Sequence, residues 1–354
     1  MKRWFQTGLL LLLVLCLIPS AAVPGGAAVG TQPVQAAGEK RRYVALGGDP
    51  FGIKLYTEGV LVIGVDAVDT AAGPVTPGEA AGVKKGDVIL SVNGVPIEDT
   101  QSLIAAVSGS GGKALELTVQ RNGEPLHLSL LPARTANGAY RAGLWVRDSA
   151  AGIGTVTFYD STRRVFAGLG HGVCDADTGS TMPLSSGEAV IAQVEGFYKS
   201  SAGDPGELCG VFTDAVLGPL LYNGENGVYG TLLTAPHGSM AAVARRAEVR
   251  PGKAQMITTI DAAGPRAYDI EITKVFPADA ATRNLVVQVT DPALLEKTGG
   301  ILQGMSGSPI VQNAMLVGAL THVFVNDPTQ GYAIFAQTML ETADRLAAEN
   351  KAAA

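Results

Sequence analysis

A serine framed by glycines is the residue whose setting most directly suggests chemistry. Ser306 lies in residues 304–309, which read Gly-Met-Ser-Gly-Ser-Pro and precede an apolar segment. Glycines adopt backbone angles that other residues resist, so they can hold a hydroxyl clear of the chain and let N–H groups converge on one point. The same composition is typical of a plain turn into a strand. The run therefore indicates either such a turn or a nucleophile, with the N–H groups of Gly304 and Ser306 as an oxyanion hole.

A nucleophilic serine needs a base to take its proton, and the base needs a third group to orient it. The chain has four histidines. His171 lies between two glycines at the end of a predicted strand, where its ring can project into a cleft. His127 and His322 lie within predicted strands, and His237 lies in a predicted turn. An imidazole with a pKa of about 6.5 suits proton transfer near neutral pH, and the glycine setting favours His171 as the base.

The residues alone leave the acid open among five aspartates. Two follow His171 closely in the chain, and Asp291 ends a predicted strand fifteen residues before Ser306, with Pro292 directly after it. An Asp-Pro pair at a strand end is also an ordinary turn. The candidates are Asp175, Asp177, Asp214, Asp261 and Asp291.

The composition predicts which elements must hold these groups in place. The chain has 354 residues, of which 47% are hydrophobic and only 16% are charged, so it can bury large cores. Its 45 glycines lie between short apolar runs, which favours a turn-rich β architecture. The net charge is −6 and no basic run occurs, so nothing favours a nucleic-acid partner. No His-Glu-x-x-His motif occurs either, and we expect neither a metal nor a cofactor.

The first forty residues read as an export segment and a linker. Residues 1–22 combine Lys2 and Arg3, an apolar core and a small-residue exit, which is typical of a signal peptide or a signal-anchor. Residues 23–40 are rich in Ala, Gly, Pro and Gln and predict a flexible tether. We therefore expect the working part of the chain outside the cytoplasm. There Cys174 and Cys209 either form a disulfide or remain free thiols.

Residues 41–132 predict one compact unit. A helix begins at Pro77, a second helix is capped by Asp99, and two strands meet across Asn122-Gly123. The unit resembles a PDZ domain, most specifically over residues 77–94. That resemblance implies an added-strand site for an extended peptide or a C-terminus, with Phe51, Gly52 and Ile53 as its carboxylate-binding loop.

Residues 143–354 predict a second β-rich unit. Short strands recur at nearly regular spacing, which indicates a barrel or a sandwich, and residues 338–351 predict a closing helix.

Four stretches, residues 152–159, 168–178, 290–309 and 321–328, resemble the SpoIVB-type serine peptidases of endospore-forming bacteria. That family joins an export segment, a PDZ domain and a peptidase domain in this order. The resemblance implies a mostly β fold with a trypsin-like double β-barrel. It also implies a triad in which Ser306 is the nucleophile, His171 the base and Asp291 the acid.

The resemblance further implies a role in sporulation signalling. Members of the family cleave a regulatory subunit of the membrane complex that processes the sigma-K precursor, and they cleave themselves. We therefore expect a protein substrate at a membrane surface, with the enzyme either membrane-associated or in the space between the mother-cell and forespore membranes. The PDZ groove would hold a peptide, a C-terminus or the chain's own tether. The alternative is a catalytically inactive, PDZ-bearing adaptor that only binds its partners.

Overall fold

The computed structural model describes residues 41–235, 238–276 and 282–353. The predicted export segment (1–22), the predicted tether (23–40) and His237 lie outside the described residues. Within the described part the chain consists mainly of strands, as the composition predicts, and none of the helices there is long and apolar enough to cross a membrane. Cys174 and Cys209 are both free thiols.

The elements are numbered along the chain. The helices are α1 (Pro77–Ala80), α2 (Thr100–Ser108), α3 (Pro292–Thr298) and α4 (Ala336–Ala353). The strands of the first half are β1 (Tyr43–Leu46), β2 (Pro50–Val65), β3 (Val68–Thr70), β4 (Gly73–Val75), β5 (Val88–Val92), β6 (Val95–Pro96), β7 (Leu115–Arg121), β8 (Glu124–Leu130), β9 (Ala133–Arg134), β10 (Tyr140–Arg141) and β11 (Leu144–Asp160). The strands of the second half are β12 (Val165–Gly168), β13 (Leu184–Phe197), β14 (Leu208–Gly224), β15 (Gly227–Thr231), β16 (Met240–Val243), β17 (Gly252–Thr258), β18 (Arg266–Val275), β19 (Leu285–Val289), β20 (Pro309–Gln312), β21 (Met315–Phe324) and β22 (Asp327–Phe335).

Six antiparallel strands close into a first barrel, barrel one. Their order round the ring is β2, β11, β12, β15, β14 and β13, and β13 pairs with β2 to complete it. Apolar side chains fill the interior, and Phe51 meets Phe166 edge to face with ring centroids 6.0 Å apart. A closed ring leaves these strands no free edge, so the end of β12 is held on a rigid support.

Six more antiparallel strands close into barrel two. Their order is β17, β18, β19, β22, β21 and β20, and β20 pairs back to β17. The sequence of β18 shows why it faces a core: Tyr268, Ile270 and Ile272 are buried, and they alternate with the exposed Asp269 and Glu271. The strand preceding the Ser306 loop and the strand following it, β19 and β20, both belong to this barrel.

Two elements join the barrels. Strand β1 pairs with β11 of barrel one and with β16, and β16 lies parallel to β21 of barrel two. Helix α4 packs Met339 and Ala343 into one apolar cluster with Tyr229 of β15 and Leu316 of β21. The double β-barrel and the closing helix that the sequence predicts are confirmed.

The unit predicted to be a PDZ domain, here called the inserted module, has its own apolar core, to which the second half of β2, helix α2 and strands β5, β7 and β8 contribute. Its local predictions are confirmed. Pro77 opens α1, and the Asp99 side chain accepts the Ser102 N–H at 2.7 Å to cap α2. Asn122 and Gly123 both have positive φ, 53° and 85°, in the turn between β7 and β8.

The structure divides the chain differently from the predicted boundaries of 41–132 and 143–354. Strand β1 and the first half of β2 belong to the barrels, where residues 50–57 pair with β11 and β13. Strands β2 and β11, of 16 and 17 residues, run without interruption from barrel one into the inserted module. The module is therefore an insertion between these two barrel strands. At the junction, residues 57–59 of β2 and 147–149 of β11 interrupt the apolar runs but do not end either strand.

Candidate active site

Ser306 lies on the loop that joins α3 to β20. Gly304 and Gly307 have φ values of 92° and 97°, a region that favours glycine. The Gly307 N–H donates to the Leu320 carbonyl at 2.7 Å, which fixes the loop against β21. Ser306 itself is half-buried, so its hydroxyl lies at the surface of the barrel rather than inside it.

His171 lies just after β12 of barrel one. Leu169 and Gly170 have φ values of 62° and 68° and turn the chain out of the strand. His171 Nδ1 lies 2.8 Å from the Gly172 carbonyl oxygen. Because a carbonyl only accepts, Nδ1 carries the hydrogen, and Nε2 keeps the lone pair with which it can accept a proton.

Residues 171–182, here called the His171 loop, are held by a residue that sequence reasoning missed. The Asn223 side chain accepts the Val173 N–H at 2.7 Å, and it donates to the carbonyls of Val173 and Met182 at 3.1 and 2.8 Å. The clamp fixes both ends of the loop to β14. An asparagine distant in the chain gives no local signal for such a role.

Thr155 of β11 ties the serine loop to the histidine segment. Its N–H donates to the Ser306 carbonyl and its hydroxyl to the Gly304 carbonyl, both at 2.9 Å. Its own carbonyl accepts the Leu169 N–H at 3.2 Å. One barrel-one residue thus holds the loop that carries the predicted nucleophile and the turn that carries the predicted base.

Thr321 and His322 of β21 supply a second connection. The Ser306 hydroxyl donates to the Thr321 carbonyl at 2.6 Å. The ring of His322, the next residue, stacks on the ring of His171 with centroids 4.7 Å apart. The structure therefore brings the predicted nucleophile and the predicted base to the same two residues, between the barrels.

The N–H groups predicted for the oxyanion hole are available. In the described part of the chain, neither the Gly304 N–H nor the Ser306 N–H donates to a protein acceptor, whereas the N–H groups of Met305, Gly307 and Ser308 all do. Stabilising a developing oxyanion requires backbone donors of this kind, and these two are uncommitted in the structure.

Burial governs the protonation of both stacked histidines. It lowers the pKa of His171, and the hydrogen bond to Gly172 opposes this effect only partly. Burial, followed by the charges of His171 and Arg283, lowers the pKa of His322 to about 4. His322 is therefore neutral near neutral pH.

The lowered pKa of His171 predicts the pH profile. The base works only when neutral, so the acid limb of kcat/KM should have its midpoint below the ordinary histidine value of about 6.5. Initial rates on a peptide substrate between pH 4.5 and 9 measure this. A midpoint above 6.5 would mean that a carboxylate raises the pKa of the imidazole during turnover.

The structure gives the predicted acid a different partner. Asp291 is the N-cap of α3: one carboxylate oxygen accepts the Leu294 N–H at 3.0 Å and the other accepts the Asp269 N–H at 3.3 Å. Pro292 takes the first helical position, as the Asp-Pro pair also allows. The structure does not bring the carboxylate to His171, whose Nδ1 bonds to a backbone carbonyl instead.

The other candidate acids do not bond to His171 either, as far as the described residues extend. Asp214 is exposed on β14, and Asp261 accepts a backbone N–H within its own turn. Asp175 and Asp177 both bind Arg147.

Replacing Asp291 distinguishes its two possible roles, helix N-cap and catalytic acid, because they predict different losses. As a cap, Asp291→Ala should lower the free energy of unfolding by about 1 kcal/mol and leave kcat within a few-fold of wild type. As the triad acid, the loss in kcat should be about 10⁴-fold. Urea unfolding and peptidase rates on the same preparation measure both effects. A rate loss of that size with an unchanged unfolding midpoint would restore Asp291 to the triad.

The predicted carboxylate-binding loop is wrong. Phe51 and Ile53 are buried in the core of barrel one, and residues 51–53 pair with both β11 and β13. A strand paired on both edges has no N–H groups left for a peptide. The apolar-Gly-apolar pattern here serves barrel packing, and a Cβ at Gly52 would clash with the Phe212 ring.

A free strand edge lies elsewhere in the inserted module. The first residues of β11 pair only with β2 among the described strands, and α2 packs beside them. Gly143, with φ 66°, turns the chain into this strand, and Leu144 and Val146 are half-buried against the module's core.

Two closed barrels with a serine and a histidine at their junction, together with an inserted module, form the architecture of a PDZ-bearing serine peptidase. A family model for the SpoIVB peptidase S55 matches residues 138–340, and a PDZ domain model matches residues 68–121. The chain belongs to the SpoIVB peptidase S55 family, and the family predicted from the four sequence stretches is confirmed.

Curated relatives match only short parts of the chain. A Lactococcus lactis protein described as a zinc metalloprotease is 40% identical over 84 residues, which are 23% of this chain and 19% of that protein. A Synechocystis protein described as the serine protease HhoA is 42% identical over 65 residues, 18% of this chain and 16% of that protein. The chain thus spans less than a fifth of the length of these relatives.

Solved structures resemble the chain at low sequence identity. The active form of the Rv3671c protease from M. tuberculosis is 12% identical, with a TM-score of 0.36 over 56% of this chain and 74% of that one. The HtrA-type protease AlgW with a decapeptide is 15% identical, with a TM-score of 0.32 over 56% of this chain and 54% of that one.

Proposed function

We propose that Ser306 and His171 form the catalytic pair of an exported serine endopeptidase. His171 Nε2 takes the hydroxyl proton as Ser306 Oγ attacks a peptide carbonyl, and it returns the proton to the leaving amine. The N–H groups of Gly304 and Ser306 stabilise the oxyanion, each contributing about 3 kcal/mol. The observation that carries the proposal is the shared frame, in which Thr155 and Thr321-His322 each contact both segments.

The hydrogen bonds describe a resting arrangement of this pair. A hydroxyl has one hydrogen, and that of Ser306 is donated to the Thr321 carbonyl. Attack on a substrate requires the hydroxyl to release the Thr321 carbonyl and rotate about the Cβ–Oγ bond, so that the hydrogen turns to His171 Nε2. The Gly172 carbonyl fixes the tautomer, but it stabilises the imidazolium less than a carboxylate would because it carries no full charge.

The family supports a role in sporulation signalling. On this proposal the enzyme works in the space between the mother-cell and forespore membranes, where it cleaves a regulatory subunit of the sigma-K precursor processing complex and also itself. The free edge of β11 beside α2 offers a place for an extended peptide, such as a partner's C-terminus or the chain's own tether.

One observation favours a second candidate, an inactive adaptor. The serine proton is held by a carbonyl, and His171 has no carboxylate partner among the described residues. A barrel fixed in this arrangement would bind partners without cutting them. A fluorophosphonate probe separates the two candidates, because Oγ displaces its fluoride only when a base activates the hydroxyl.

The signalling role is tested with its substrate. Purified protein and the regulatory subunit are incubated together, and new N-termini are mapped by mass spectrometry, with the Ser306→Ala variant as the control. We expect discrete cuts in the subunit and in the chain itself with the wild type, and none with the Ser306→Ala variant. Probe labelling at Ser306 without any cut in the subunit would leave the peptidase standing and refute the signalling role.

A further inference from the structure

The His171 loop is fixed by an ion pair that no step of the proposed mechanism uses. The Asp175 side chain is fully buried, and its Oδ1 accepts the N–H groups of Asp177 and Thr178 at 3.1 and 2.8 Å. Its Oδ2 is hydrogen-bonded to the Arg147 guanidinium, which also reaches Asp177 at 2.9 Å. One guanidinium thus holds two carboxylates of a loop that begins with the proposed base.

The charge balance of this cluster depends on Arg147. Burial alone would raise the pKa of Asp175, but the hydrogen bonds from Thr178 and the charge of Arg147 lower it, so the carboxylate stays ionised. A buried ionised carboxylate that loses its cation must either take up a proton or move towards water. Either change alters the turn that Asp175 organises, four residues after His171.

Arg147 lies where β11 leaves the inserted module for barrel one. The register of β11 against β2 shifts between Arg147 and Ser149. The next residue, Asp148, accepts the Thr100 N–H at the start of α2 through its side chain at 2.9 Å. Its backbone carbonyl lies 3.1 Å from the Thr57 hydroxyl, which it shares with the Gly59 carbonyl at 2.6 Å. The anchor of the His171 loop is therefore itself fixed to both the module and barrel one.

We propose that Arg147 is a positioning residue for His171: by binding Asp175 and Asp177 it fixes the His171 loop, and so fixes the imidazole relative to Ser306. Asn223 holds Val173 and Met182, and Arg147 holds the turn between them. The inference rests on the proposed function, because it assigns a purpose to the loop only if His171 is the base.

The chain offers a matched control. Arg121 binds Asp87 through two hydrogen bonds of 2.7 and 2.8 Å, and Asp87 is as buried as Asp175 and also accepts a backbone N–H. That pair lies wholly within the inserted module. Arg147→Gln and Arg121→Gln therefore remove the same kind of interaction, and only the first touches the His171 loop.

The test measures the rate at which a fluorophosphonate labels Ser306, together with kcat and KM on a peptide substrate. Each full-length variant is assayed well below its own melting temperature. A displacement of about 1 Å costs about 10²-fold, so we expect labelling and kcat to fall 10- to 100-fold in Arg147→Gln, with KM unchanged. Arg121→Gln should lower the melting temperature and leave both rates unchanged. Arg147→Lys, which keeps one charge but cannot bridge both carboxylates as a fork, should lie between.

Hydrogen exchange gives a readout that does not depend on catalysis. The amides of Asp177 and Thr178 should exchange faster in Arg147→Gln and not in Arg121→Gln. Equal rates of labelling in Arg147→Gln and wild type, or unchanged exchange in residues 171–182, would overturn the inference while the proposed function stands. Absence of labelling in the wild type is a different result: it refutes the proposed function, and this inference with it.

Discussion

The Ser306→Ala variant is expected to lose about six orders of magnitude in kcat and to keep its fold. In the proposed mechanism Oγ is the atom that attacks, so its removal leaves only substrate binding and the oxyanion donors, whose contribution over water is small by comparison. The loop itself does not depend on the hydroxyl, because the Gly307 N–H to Leu320 bond and the Thr155 bonds hold it in place. Loss of the bond to the Thr321 carbonyl should cost about 1 kcal/mol of unfolding free energy.

A neighbouring serine provides the control. Ser308 is fully buried, and its hydroxyl donates to the Met305 carbonyl at 2.6 Å. Ser308→Ala should therefore cost about as much stability as Ser306→Ala, or somewhat more, while peptidase activity persists. Activity and circular dichroism measured on both variants decide the assignment. Cleavage that survives in Ser306→Ala at more than a trace level would show that another residue is the nucleophile.

Local sequence patterns predicted the fold because each of them has a direct physical cause. Alternation of apolar and polar residues in β18, the capping aspartate of α2 and the Asn122-Gly123 turn all act within a few residues of one another. A reader of the sequence therefore needs no knowledge of the rest of the molecule to place them.

The domain boundary could not be read in the same way. Strands β2 and β11 serve barrel one at one end and the inserted module at the other, with continuous strand character throughout. Whether Phe51 faces a groove or a barrel core depends on β13, which follows more than 120 residues later in the chain. That pairing leaves no mark on residues 51–53, so the predicted carboxylate-binding loop followed a pattern that barrels and peptide sites share.

The candidate site shows the same division between local and distant information. The glycines beside His171 and Ser306 were a usable local signal, because the positive φ values that the structure shows at Gly170, Gly304 and Gly307 favour glycine. Asp291 carried two local meanings, a strand-ending acid and a helix N-cap followed by proline, and the contacts in the structure match the second. The partner of His171 Nδ1 is a backbone carbonyl, which no side-chain motif could reveal.

Gly307→Ala is expected to have the largest effect on stability of any single methyl group added at the site. At φ 97° a Cβ would stand 1.9 Å from the Thr155 carbonyl oxygen and 2.5 Å from the Leu169 nitrogen, both of them backbone atoms that cannot turn away. The strained φ costs about 1–3 kcal/mol, and forcing the strands apart costs about 1–3 kcal/mol more. Because Thr155 holds the segments of both Ser306 and His171, the proposed mechanism predicts that the displacement also lowers kcat by at least about 10²-fold.

The Gly264→Ala variant measures the cost of a strained φ without a steric clash. Gly264 has φ 82°, and a Cβ there meets nothing within 4 Å, so the variant carries the strain of the left-handed region without a clash. Urea unfolding should therefore place Gly264→Ala between the wild type and Gly307→Ala, with peptidase activity lost only in the latter. If the two variants unfold at the same midpoint and both retain activity, the serine loop can move away from Thr155 to make room for the methyl group without loss of stability. The serine loop would then not depend on the close approach that brings Ser306 and His171 together.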